Sequence, residues 1–185
     1  MAQYIALLRA INVGKRVVKM AELAKLCESC GLKNVRTHFQ SGNVVFETKQ
    51  VNRAAITRKI EKGLMESLGY KVELILTTKD ELEKIVKKNP FKRFDSKFDL
   101  MLFVSFFIGE PTLTPTLPLT STSDNLELFA VHNNAAFIVA RQKKNGWFGF
   151  PNIFVEKQFG VSATTRNWSV VKKLVQTESA ADIRR

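Results

Sequence analysis

The chain has 185 residues, 45% of them hydrophobic and 14 of them Phe, which is material for one large core or two small ones and too much for a disordered chain. Its 29 Lys and Arg against 17 Asp and Glu give a formal net charge of +12, which favours anionic partners, nucleic acid included, and serves plain solubility equally well. Two cysteines are too few for a disulfide-dense secreted scaffold, and no stretch approaches the roughly 20 apolar residues of a membrane span.

The N-terminus, Met1 to Arg9, lacks the leading positive charge of a signal peptide, and its apolar run breaks at Arg9. A cytoplasmic protein with no membrane partner is expected. Tyr4 to Leu8 is wholly apolar and reads as a strand buried on both faces. Met20, Leu23, Ala24, Cys27 and Cys30 then recur at helical spacing, with Gly31 placed to end the helix. Val35 to Gln40, a turn at Ser41-Gly42-Asn43 and Val44 to Thr48 form a hairpin pattern. Ile56, Ile60, Leu64 and Leu68 mark a second helix stopped by Gly69, and Lys71 to Thr77 is a fourth strand.

Residues 79–97 carry seven basic and four acidic side chains around a short helix ending before Pro90, and are expected to bridge two halves. Leu100 to Ile108 opens the second half as another apolar strand. Pro111, Pro115 and Pro118 make a long regular helix between 110 and 124 implausible. Leu126 to His132 and Ala135 to Arg141 pair around Asn133-Asn134. Pro151 begins a helix to Phe159 closed by Gly160, a short strand follows at Ser162 to Thr165, and a helix spans Trp168 to Gln176. Strand, helix, strand, strand, helix, strand is the order of a ferredoxin-like plait. The expected fold is thus α+β, with two tandem ferredoxin-like halves and an added C-terminal helix. Its predicted divisions are a first plait over 1–78, the bridge over 79–97, and a second plait with the last helix over 98–185. Because a lone plait leaves one sheet face open, the other half or a second subunit in a homodimer is expected to cover it.

In such a plait the end of the first strand lies beside the start of the third, which brings Arg9 and Asn12 near Ser41, Gly42 and Asn43. Asn12-Val13-Gly14-Lys15-Arg16 adds two cations. A guanidinium, amides, a hydroxyl and backbone N–H groups are the inventory of an anion or sugar-phosphate site. The competing reading is a loop tie, in which Gly42 and Asn43 supply turn geometry. Near the C-terminus, Ser162-Ala163-Thr164-Thr165-Arg166-Asn167-Trp168 sets polar side chains before a helix. There Thr164 or Thr165 can cap the N-terminus and Arg166 can fork onto phosphate. The competing reading is a cap with an internal ion pair and Trp168 as core anchor.

These segments also carry a likeness. Leu7 to Gly14, Val35 to Phe46, Asn89-Pro90-Phe91 and Ala163 to Trp168 resemble the signature segments of the DUF1697 family, bacterial proteins of unknown function. The resemblance implies two alpha-beta plait domains and makes Arg9, Asn12, Ser41, Gly42, Asn43, Thr165, Arg166 and Asn167 the motif positions. Ala10 and Lys15 stand where the family usually has glycines, and the Pro-rich stretch replaces a more helical segment.

Other candidates are weaker. Cys27-Glu28-Ser29-Cys30 lies at a helix end whose dipole opposes a thiolate, and His38 and His132 fall in different halves, so core thiols are expected and no metal is assigned. His38 has no matched nucleophile or acid near it in sequence, and His132 reads as a surface residue. An RNA-binding sheet face would need interleaved aromatics, and only Tyr4 and Phe46 are present. Trp147, Phe148 and Phe150 follow Arg141, Lys143 and Lys144 and can stack a ring, though a core or dimer plug is the simpler expectation. The functional expectation is an anionic, phosphate-bearing ligand, a nucleotide or nucleic acid, in a polar cleft between the halves lined by the motif residues. The alternatives are an enzyme acting on a small phosphorylated or carboxylated metabolite and a non-catalytic oligomeric protein. No catalytic residue or cofactor follows from the residues.

Overall fold

The computed structural model describes residues 1–14, 16–94 and 99–177; Lys15, positions 95–98, which include the end of the expected bridge, and the tail from 178 lie outside it. Among the described residues the chain is α+β, with two antiparallel sheets and five helices. It divides into two units, Met1–Leu82 with Leu174–Arg185, and Glu83–Lys173. The first division falls inside a helix, Lys79–Lys88.

The first unit runs β1 Ala2–Leu8, α1 Met20–Ser29, β2 Lys33–His38, β3 Asn43–Thr48, α2 Arg53–Leu68 and β4 Leu74–Thr77, and then enters α3 Lys79–Lys88. The strands lie in the order β2-β3-β1-β4. Leu7 faces Asn43 across one side of β1 and Ile75 across the other. Period-2 alternation then sends Tyr4, Ala6, Leu8, Val44, Phe46, Leu74 and Leu76 to one face, where they meet Leu23, Cys27, Ile56, Ile60 and Leu64 from the two helices. Ile5, Leu7 and Val45, on the opposite face, are buried as well. Tyr4 and Phe46, the two aromatics of the strand pair, therefore pack under helices, with ring centroids 6.1 Å apart, and form no open stacking face.

The helix ends follow the sequence signals. Asn52 accepts a bond from the Ala55 N–H at 3.0 Å at the start of α2, and Gly69 closes it with φ +75°. Gly63, in the middle of α2, looks out of place by helix propensity. A Cβ there would sit 2.4 Å from the Cys30 sulfur, so its absence is what lets the end of α1 reach α2. Thr78 and Glu81 form a capping box on α3. The Glu81 N–H donates to Thr78 Oγ1 at 3.2 Å, and the Thr78 N–H to Glu81 Oε2 at 3.0 Å. Arg53 adds a fork of two bonds to the same carboxylate, at 2.7 and 3.2 Å.

The second unit holds β5 Leu100–Ile108, β6 Leu119–Ser121, β7 Leu126–His132, β8 Ala135–Arg141, α4 Asn152–Phe159 and β9 Ser162–Asn167, and enters α5 Trp168–Val175. Its order is β6-β7-β8-β5-β9, so β7-β8-β5-β9 repeats the pairing order of the first sheet. The repeat extends to register: Leu7 faces Asn43 as Phe106 faces Ala135, and the bond from Leu8 N to Gly42 O, 2.9 Å, recurs from Phe107 N to Asn134 O, 3.1 Å. β6 is a strand that the Pro-rich stretch concealed; it begins directly after Pro118, holds no proline itself and pairs along the outer edge of β7. Phe103, Phe107, Leu128, Ile138, Val155 and Phe159 make the core beneath α4. On the other face Phe91 meets the rings of Phe129, Phe137 and Trp168.

Burial lifts the Glu81 carboxyl, but the bonds from Arg53, the Thr78 N–H and Thr77 outweigh it and hold its pKa below the ordinary 4.5. Such a group stabilises the fold above the unfolded-state value, and that contribution is lost as pH falls through the lower, folded value. Replacing Glu81 by Gln should therefore cost about 1 kcal/mol at neutral pH in urea unfolding, discounted for its half-exposed setting, and give a flatter stability profile below pH 4.5 than the wild type.

Candidate functional site

The motif positions form two groups, Arg9, Asn12, Ser41, Gly42 and Asn43 in the first unit and Thr165, Arg166 and Asn167 in the second. In the first unit the sequence reading of neighbours is met. β1 ends at Leu8, and the chain turns at Ala10, which takes a left-handed φ of +53°. Asn12 then holds the loop shut. Its Oδ1 accepts the Val18 N–H at 2.7 Å, and its Nδ2 donates to the carbonyls of Gln40 at 2.8 Å and Val18 at 3.3 Å. One amide thus joins Asn12 to Val18 and ties both to the β2–β3 turn.

Gly42 is the pivot of that turn. Its φ is +73°, and a Cβ would lie 2.5 Å from Ile11 Cγ2 and 3.1 Å from Leu8 Cβ. Asn43, fully buried, donates to the His38 carbonyl at 2.7 Å and to Ser41 Oγ at 3.0 Å, closing the turn from within. Asn12, Gly42 and Asn43 therefore act as ties, and Arg9 is the group they aim outward.

The Arg9 guanidinium, about a third exposed, lies 3.4 Å from Glu73, whose carboxylate also takes Lys71 at 3.0 Å. The Arg9 N–H donates to the Glu73 carbonyl, which fixes the pair across β1 and β4. Hydrogen bonding to Glu73 raises the pKa of Lys71. Beside Lys71 in sequence, Tyr70 lies under Arg16, whose guanidinium is 4.4 Å from the ring centroid. Arg9, Arg16 and Lys71 thus gather along the segment Tyr70–Glu73, and sequence reasoning missed Tyr70, Lys71 and Glu73 because only strand pairing brings residue 9 to residue 73.

The C-terminal group departs from expectation. Residues 162–167 are a strand, β9, and neither Thr164 nor Thr165 caps a helix. Two β-branched residues paired with β5 extend the strand, and alternation then points successive side chains to opposite faces, so the polar run does not converge. Thr165 faces α4: its Oγ1 donates to Asn152 Oδ1 at 3.0 Å, so the 2.7 Å bond to Ser105 has the serine as donor. Arg166 lies on the other face, 4% exposed, with Nη1 donating to Thr164 Oγ1 at 2.8 Å and to the Thr165 carbonyl at 2.9 Å. Burial pushes its pKa down to about 9, so it stays a cation at neutral pH. Asn167 is exposed.

Cys27 and Cys30 are buried thiols, and burial pushes Cys27 up to about 12, out of reach of thiolate chemistry at neutral pH. His38 and His132 occupy matching places at the ends of β2 and β7, and burial lowers both pKa values, helped by Arg36 and Lys88. His132 is not a plain surface residue: its ring packs tilted against that of Phe137, centroids 4.2 Å apart. No three His, Cys, Asp or Glu side chains among the described residues group to hold a metal ion, and no described helix is long and apolar enough to cross a membrane.

The family model described as "Protein of unknown function (DUF1697)" matches residues 1–137. The chain belongs to that family. The match contains the whole Arg9 group and stops before β9, so the Arg166 cluster lies outside the matched DUF1697 segment. A solved structure of the conserved bacterial protein SP0830 from Streptococcus pneumoniae is similar at a TM-score of 0.68 and 19% identity, over 94% of this chain and 96% of that one, a likeness of fold. No curated protein matches the chain.

Two substitutions test the loop ties. Gly42→Ala should lower stability by about 2 kcal/mol or more, since it adds left-handed strain to a collision with Ile11. Ala10→Gly, which relieves a left-handed backbone at φ +53°, should raise it by about 0.5–1 kcal/mol. Chemical denaturation checks both, and a neutral Gly42→Ala variant would contradict the packing described.

Proposed function

We propose that the protein binds an anionic, phosphate-bearing small molecule, of which a nucleotide is the leading example, on the rim formed by Arg9, Arg16, Tyr70 and Lys71. The observation that carries this reading is the gathering of three cations along Tyr70–Glu73, Arg9 and Lys71 on the Glu73 carboxylate and Arg16 over the Tyr70 ring, beside a loop made rigid by Asn12 and Gly42. Rigid placement matters because a phosphate then meets donors whose ordering cost was met on folding. The guanidinium of Arg9 offers a planar fork, and an incoming phosphate competes with Glu73 for it. In this reading Asn12, Ser41, Gly42 and Asn43 shape the site, and Thr165 and Arg166 organise the second sheet.

We read each unit as a variant of the ferredoxin-like plait, on the strength of the shared orders β2-β3-β1-β4 and β7-β8-β5-β9. In the second, an extended segment with β6 replaces the first crossover helix. A cytoplasmic setting suits this reading, because it supplies nucleotides and keeps Cys27 and Cys30 reduced.

Calorimetric titration with adenosine monophosphate, adenosine triphosphate, pyrophosphate and inorganic phosphate tests the proposal. Arg9→Ala should weaken binding about tenfold or more, the scale of a charge-assisted hydrogen bond, and Glu73→Gln should strengthen it by removing the internal competitor. Equal affinities in wild type, Arg9→Ala and Glu73→Gln would reject the site, and consumption of the added phosphate compound would turn the binding reading into an enzymatic one.

A further inference from the structure

The loop between β8 and α4 is tied down at many points and yet turns large apolar side chains to water. Lys143 accepts from the Gly146 N–H at 2.9 Å and donates to the Trp147 carbonyl at 2.8 Å, closing a tight turn. Asn145 Oδ1 takes the Trp147 N–H at 3.2 Å, and Gln142 Nε2 donates to the Gly146 carbonyl at 2.8 Å. Lys143 is further pinned to Asp124 at 3.1 Å. Gly149 passes so close to the Asp124 backbone that a Cβ would collide with it. Phe148 is drawn into the core of the second unit.

Against that anchoring, Trp147 is 74% exposed, Phe150 61% and Ile153 80%. The expectation of a core plug thus holds for Phe148 alone. Phe150 stands edge-on to Phe103, 5.7 Å between centroids, which fixes its ring while leaving much of it open. A loop this constrained does not display a tryptophan by slackness; the turn geometry aims it outward. Three exposed apolar side chains within seven residues are characteristic of a recognition surface.

Charge decides which occupant fits. Lys144 precedes Trp147 in the turn, and Lys157 follows Ile153 by one helical turn on the same side of α4; both are exposed. Two copies of the chain meeting here would oppose lysines in a protein of net charge +12. A single-stranded nucleic acid answers both features, because every base offers a face to an indole and every linkage a phosphate to an ammonium. We propose that the second unit binds single-stranded nucleic acid, with one base stacked on Trp147, a second against Phe150, and the backbone phosphates on Lys144 and Lys157. This proposal does not depend on the Arg9 rim.

The test is fluorescence anisotropy of a labelled oligothymidylate with the full chain, repeated over a salt series. Trp147→Ala should weaken binding about tenfold, the loss typical of one stacked base. The double variant Lys144→Gln with Lys157→Gln should weaken it and make the salt dependence shallower. Quenching of intrinsic fluorescence by unlabelled oligonucleotide should vanish in Trp147→Ala, since the other tryptophan, Trp168, is buried. Full-strength binding by Trp147→Ala, or no binding by wild type at low salt, would overturn the proposal. So would a wild-type dimer that Trp147→Ala converts to monomer in sedimentation, which would make the surface a self-interface, or preference for an acidic peptide over the oligonucleotide. Nucleotide affinity at the Arg9 rim is read separately by calorimetry, so either reading can fail without the other.

Discussion

The absence of one methyl group at Gly42 sets the geometry of the first unit's rim. Only without a Cβ can the β2–β3 turn lie against Leu8 and Ile11 while its carbonyl accepts the Leu8 N–H. Once that contact is made, β3 starts in register beside the end of β1, and Asn12 is within reach of the Gln40 carbonyl. Arg9 is then held between a fixed strand end and a stapled loop. The second unit makes the matching backbone bond with Asn134, which also has a positive φ and is among the residues that bear it at least cost. The same turn problem is solved by different residue types in the two sheets.

The two motif arginines show how setting governs the work of one functional group. Arg9 sits at a strand end, partly in water, paired with a carboxylate that it can exchange for another anion at modest cost. Arg166 is enclosed near the end of β9, and taking its charge out of water is so unfavourable that its Nη1 is committed to the threonine hydroxyl and carbonyl beside it. Thr164 and Arg166, two apart on one strand, share a face, which makes their bond a local consequence of alternation.

Much of this architecture could be read from residues in order. Helix stripes such as Ile56, Ile60 and Leu64, the stops at Gly69 and Gly160, and both hairpins depend on neighbours within a few positions, and the pattern carries them. The nearness of Asn12 to the β2–β3 turn followed from the topology, and the tie at Asn43 was the competing reading of that turn. What the pattern hid depends on distant partners. Glu73 joins Arg9 only through strand pairing, β6 is stabilised by β7 although three prolines precede it, and Thr165 is drawn to Ser105 across sixty positions of chain. The exposure of Trp147 was hidden for the same reason, since Phe148 beside it has the same local character and the opposite fate.

The notch at Gly63 has a consequence for how the first unit breathes. Because the Cys30 sulfur fills the space that a side chain would take in α2, a bulky alkylating reagent is hindered from reaching it while the two helices stay in contact. The rate of thiol modification in the native protein therefore clocks how often α1 and α2 part, a local opening read without any added label on the surface.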